Sequence, residues 1–237
     1  IGPSGGNWNA AANWSNRSGG ASISAIPGAS DMVFFEGAAN CTVDANLNVK
    51  GISIDATYSG TISVNSGVLI TIASSGFTQA GGTFTGGNQE IRINGPFSLS
   101  GGIFNSTSGT LQVSSNFSFT AGAFNHNNGT VTFSAAQTIT GNAVFYDILF
   151  VSSGGIYTIA SGTTIKSTHN VTISGGASCT FNTGTLELTG NLTLTSTSNN
   201  SVNGGSATFV FNGTGIQTIQ SAIREISVGT NERMCAL

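Results

Sequence analysis

Gly82-Thr83-Phe84-Thr85, Gly102-Ile103-Phe104-Asn105 and Gly122-Ala123-Phe124-Asn125 are three copies of one phrase, set 20 residues apart. Other columns keep the same interval: Ile91, Leu111 and Val131; Ile93, Val113 and Phe133; Leu99, Phe119 and Ile139; Phe77, Phe97 and Phe117. Such register over residues 76–140 is not a product of composition, and a fixed period of this length marks a stacked repeat. Inside each repeat the apolar residues come as i, i+2 pairs, such as Ile91/Ile93 then Phe97/Leu99. A period of two puts each pair on one face of a short strand. The residues between them (Arg92, Gln112, Thr132, Ser98 and Ser118) are then expected outside. Gly-Gly, Asn-Gly, Ser-Gly and Asn-Asn steps supply the corners.

The same grammar extends more loosely to both sides, through Ile52/Ile54 and Ile62/Val64 upstream and Leu186/Leu188 and Leu192/Leu194 downstream. A unit of two or three short strands has little core of its own and gains stability by stacking on its neighbour. The sequence therefore predicts an all-β parallel β-solenoid, expected to be a right-handed β-helix, with coils of 20 residues. Residues 1–48 read as an atypical N-terminal cap, and 49–228 as the solenoid. At ~4.8 Å per coil, about nine coils make a rod ~40 Å long. Residues 229–237 read as a tail without period. A β-sandwich would instead give hairpins around two-residue turns, without columns in register.

Composition agrees. Gly 34, Ser 32, Thr 30 and Asn 24 make up half of the 237 residues, while charged residues are 6%. Mean hydropathy is +0.17 and 38% of residues are apolar, too many for a disordered Gly/Ser linker. A net charge of −3, with six scattered Lys and Arg, supplies no basic patch for nucleic acid. No apolar run approaches the roughly 18 residues of a membrane-spanning helix. The sequence begins at Ile1 with no charged-then-apolar leader, which reads either as a secreted chain whose signal peptide has been removed or as a fragment.

Chemistry-bearing constellations are sparse. No two of the nine acids lie one 20-residue period apart, where they would stack on neighbouring coils as a polysaccharide-degrading β-helix enzyme would need; Asp44 and Asp55 are the pair that a corner could bring together. His126 and His169 have no Cys, Asp or Glu at ligand spacing, so no metal or cofactor is expected and no catalytic residue is assigned. Of the three cysteines, Cys41 and Cys179 are expected in distant coils, beyond the ~7 Å Cα limit of a disulfide, and Cys235 belongs to the last residues. Cys41 and Cys179 read either as small buried hydrophobes or, for Cys41 with Cys235, as partners across a subunit contact that also involves Ile226 and Val228. Trp8 and Trp14 read either as part of the cap or as stacking surfaces for a glycan.

Three stretches carry a resemblance: Gly6–Ser15 (GNWNAAANWS), Ile26–Phe35 (IPGASDMVFF) and Cys41–Ile54 (CTVDANLNVKGISI). Together with Gly129–Gly141 and Phe145–Phe150, they resemble large secreted β-helix surface proteins, many of them adhesins or clients of type IX-like secretion in gliding bacteria. The resemblance implies export and coil grammar rather than an activity. The expected function is an extracellular structural protein: a rigid subunit of a cell-surface filament or adhesin stalk, assembling head to tail as a homo-oligomer. A glycan-binding adhesive module is the alternative.

Overall fold

The computed structural model describes residues 5–153, 155–177, 179–195, 205–221, 225–228 and 232–235. It is all-β apart from one short 3-10 turn, Ala11–Asn13. Strands pair in parallel with the equivalent strand one coil along, and the coils repeat about every 21 residues. The fold is the expected parallel β-solenoid. Among the described residues it makes about eight turns, against the nine a strict 20-residue period had implied. Two compact units carry the coils: Ile1–Gln112 with Ser118–Gly129, and Val113–Phe117 with Thr130–Leu237.

In the first unit, one ladder climbs from Gly6–Asn7 through Cys41–Val43 and Thr61–Val64 to Thr83–Thr85 and on to Ile103–Asn105. A second climbs from Met32–Phe35 through Leu47–Ile54 to Ile70–Gln79. Coil pairing therefore begins at Gly6, well before residue 49. The segment read as a cap already contains two rungs, because Val33 and Phe35 repeat the inward i, i+2 pair of Ile52 and Ile54. Inward positions stack like on like. Phe84 lies on Phe104 with centroids 5.0 Å apart and planes 6° apart, and Phe104 lies on Phe124 at 5.6 Å and 13°. Phe77 and Phe97 make a second stacked pair at 5.6 Å, set edge-on to the first column.

The columns need glycine beside them. Gly102 has φ +72°, and a Cβ there would lie 2.4 Å from the Gly81 carbonyl oxygen one coil below. A side chain at that corner would both strain the backbone and push the coils apart, which explains the Gly-x-Phe phrase.

The second unit has three strands per coil. Its ladders run Thr130–Phe133, Asp147–Ser153, Val171–Ala177, Leu192–Leu194 and Ile219–Ser221; Gln137–Thr140, Ile156–Ile159 and Thr180–Asn182; and Val144–Phe145, Thr164–Ser167, Thr185–Leu188 and Thr208–Phe211. The core again consists of stacked rows, among them Val131–Ile148–Val171–Leu192 and Ile165–Leu186–Phe209. Thr132, expected outside, is only 7% exposed, because the row places the apolar Leu149 next to it one coil along. Residues 229–237 are not wholly irregular. Glu232–Cys235 is a strand paired antiparallel with Glu225–Val228, a hairpin where a tail had been expected. No helix of the described residues is long and apolar enough to cross a membrane.

Fully burying a Phe side chain is worth about 1.5–3 kcal/mol, and removing one from a packed core adds the cost of the cavity. Phe104 touches Phe77, Phe84, Phe97 and Phe124, so Phe104→Ala should cost about 3–5 kcal/mol in urea unfolding. Phe34→Ala, on the outside of its strand, should stay within about 0.5 kcal/mol.

Candidate functional site

The N-terminal end is built around two indoles. Trp8 and Trp14 are 2% and 6% exposed and meet edge-to-face at 4.7 Å, with Phe35 within 6.4 Å of both. The Trp14 indole Nε1–H donates to the Trp8 carbonyl at 2.8 Å, which satisfies the one polar atom of a ring placed in the core. The expectation that these rings offer stacking faces to a glycan is therefore overturned: their faces are spent on each other and on Phe35. They belong to the end of the hydrophobic core.

Beside them lies a groove of about 620 Å³ between the loop that follows Trp14 and the strand Met32–Phe35. Phe34, 62% exposed, lies along it, and Ile23 and Ile26 face it from the loop. Three ionisable residues also line it: Arg17, Asp31 and Glu36. Asp31 accepts only the Gly28 N–H, and neither the Arg17 nor the Glu36 side chain has a partner among the described residues. Sequence reasoning missed this groove because its residues come from a stretch outside the period.

Elsewhere three side-chain contacts bring acids together with Arg, Lys or His. Glu90 meets Arg92 at 2.9 Å, Lys166 Nζ meets Glu187 at 2.6 Å, and His169 Nδ1 meets Asp147 at 2.8 Å. Hydrogen bonds from Lys166 and Asn212 hold the Glu187 carboxyl below its usual range. His169 also stacks on Tyr146 at 4.5 Å. The acids proposed for a corner each serve local backbone: Asp44 accepts the Asn9 N–H, and Asp55 accepts the Thr57 N–H and hydroxyl, which lowers its pKa. The described residues contain no group of three or more His, Cys, Asp or Glu side chains that could hold a metal ion.

Cys41 sits in the ladder between Gly6 and Ile62, with its thiol buried and free. Its place in an inter-subunit disulfide is thereby corrected: a buried thiol cannot meet a second chain without opening the coil. Burial pushes its pKa up to about 12, and that of Tyr58 likewise. Cys179 is also buried. Ile226, Val228 and Cys235 lie in the hairpin strands, and their side chains fall outside the described residues.

A second kind of position carries polar function of a structural sort. Asn40 Oδ1 accepts the Thr61 N–H, 21 residues along, and Asn46 accepts that of Leu69. Asn116, Asn142, Asn170 and Asn191 accept those of Thr138, Thr164, Asn191 and Thr218. Asp147 does the same for Asn170. Most of these acceptors immediately precede an inward residue that opens a strand, as in Asn40-Cys41, Asn46-Leu47, Asn170-Val171 and Asn191-Leu192, while Asn142 stands two residues ahead of Val144 and Asp147 is itself the first residue of its strand. The side-chain carbonyl adds one rung before the backbone ladder begins. None of these asparagines lies in the Asn-Gly or Asn-Asn steps read as corners; the signal that identifies them is their place just ahead of the strand.

No protein-family model matches the chain, and no curated protein or solved structure does either.

Asn142→Ala should cost about 0.5–1.5 kcal/mol of stability, whereas Asn142→Asp, which keeps an acceptor for Thr164, should cost less. Chemical unfolding at pH 7 measures both. Because the Cys41 thiol titrates higher in the folded than in the unfolded chain, its contribution is complete below about pH 9 and is lost as pH rises toward 12. By pH 10.5 this should remove about 1–2 kcal/mol of stability, and Cys41→Ala should flatten that alkaline slope.

Proposed function

We propose that the chain is an extracellular structural protein, a stiff β-solenoid segment of a surface filament or adhesin stalk that associates head to tail with its own kind. The observation that carries this reading is the stacking of Phe84, Phe104 and Phe124 in one column. Side chains that pile up vertically spend their interaction energy on holding coils in register, and a repeat of this kind transmits load from one coil to the next.

Three further features support it. Half of the composition is Gly, Ser, Thr and Asn, with 6% charge, so the surface is neutral and hydroxyl-rich. The corner amides are committed to coil-to-coil bonds, as Asn170 and Asn191 are. Parallel coils also end in strand edges, which are templates for another chain, and a heterologous contact that does not close into a ring grows into a fibre. Secretion enters through the resemblance to exported β-helix surface proteins. The glycan alternative has lost its platform with the burial of Trp8 and Trp14.

Negative-stain electron microscopy of the purified chain, over a rising concentration series, tests the reading. Elongated assemblies that lengthen with concentration are the expected result. Monodisperse single particles at the highest concentration would remove the filament from the proposal.

A further inference from the structure

Among the described residues the strand Met32–Phe35 is paired on one side only. Asp55 N–H donates to the Phe35 carbonyl at 3.0 Å, so Phe35 turns its backbone toward Leu47–Ile54. In a strand, neighbouring residues alternate the direction of their backbone groups, so Phe34 and Glu36 turn theirs the opposite way. Among the described residues no strand pairs with that side, and no backbone or side-chain group bonds the N–H or C=O of Phe34 or Glu36. The groove of about 620 Å³ runs past this strand. An unpaired edge flanked by exposed apolar side chains is a site for strand addition: main-chain bonds supply affinity, and alternate side chains supply selectivity.

The molecule also holds a sheet that lacks a third strand. Glu225–Val228 and Glu232–Cys235 form a two-stranded antiparallel hairpin that pairs with no other strand among the described residues. A two-stranded sheet is marginal in water by itself and needs further strands or packing. Both segments carry charges of both signs in sequence. The groove contributes Asp31 and Glu36 next to the two ends of its strand and Arg17 from the loop that follows Trp14. In sequence, the hairpin region holds Arg224 and Arg233, two of only six Lys and Arg in the chain, together with Glu225 and Glu232.

We infer that the groove along Met32–Phe35 receives the hairpin Glu225–Val228/Glu232–Cys235 of a second copy, which adds as further strands at the Phe34 edge. This rests on the head-to-tail reading above and names its two surfaces. The contact is heterologous: each copy carries one acceptor edge and one donor hairpin.

Sedimentation velocity of the full-length chain across a hundredfold concentration range tests it. The wild type should associate. Phe34→Glu places a charge in the groove at an exposed position, and Ser227→Pro removes a strand N–H from the hairpin. Each should weaken self-association at least tenfold, with circular dichroism and urea midpoint unchanged for Phe34→Glu. Mixing the two variants should restore a 1:1 complex, because one retains an intact edge and the other an intact hairpin. The site is wrong if Phe34→Glu associates like the wild type or if the mixture stays monomeric, and in either case the assembly reading survives. A wild type that stays monomeric throughout overturns both.

Discussion

Coil-on-coil register is the constraint from which the rest of this structure follows. Parallel pairing places each residue beside its equivalent one coil along, so every position must tolerate its own like as a neighbour. Phenylalanine meets that condition in the interior because parallel-displaced rings stack favourably, as Phe84, Phe104 and Phe124 do. Glycine meets it at the inner corner, where the carbonyl of one coil lies against the Cα of the next. Asparagine meets it just before the strand, where a side-chain carbonyl finds the amide of the following coil. The composition, half Gly, Ser, Thr and Asn, is the summed result of these separate requirements.

The same constraint accounts for polar side chains inside. Gln79 continues an inward row whose neighbours are Ile54 and Leu99. Its amide nitrogen donates to the carbonyls of Gly81, Gly82 and Ile103, closing the corner from within, while its oxygen has no protein partner. Gln217 does similar work more completely, donating to the Leu188 and Gly190 carbonyls and accepting the Gly213 N–H. Corners displace backbone carbonyls from the ladder, and a long amide can satisfy them where no water need enter. Tyr157 follows the same logic: its ring joins the stack with Phe181, and its hydroxyl donates to the Phe133 carbonyl.

Much of the fold was legible because repetition is a signal independent of propensity. The Phe84, Phe104 and Phe124 column, the i, i+2 pairs and the Gly corners could all be read from spacing. What could not be read shares a physical cause. The indoles of Trp8 and Trp14 are isolated in sequence, so no column revealed their burial, and large aromatics near a chain end read equally well as surface or core. Asn170 and Asn191 were ambiguous because an asparagine serves a turn through its backbone and a neighbouring coil through its side chain. The groove at Phe34 brings together residues from an aperiodic loop and the outward face of a strand, and only the folded chain places Arg17 and Glu36 on one feature.

The corner bonds span unequal lengths of chain. The Asn125–Asn105 bond joins residues 20 apart, whereas Asn191 reaches Thr218 across 27. Rungs are fixed while the length of chain between them differs, so the stack tolerates coils of unequal length. Lengthening a surface loop costs little entropy once its ends are pinned. The coil edge therefore acts as a row of graft points, where foreign peptides or epitopes can be spliced in and displayed one above another at the pitch of the backbone.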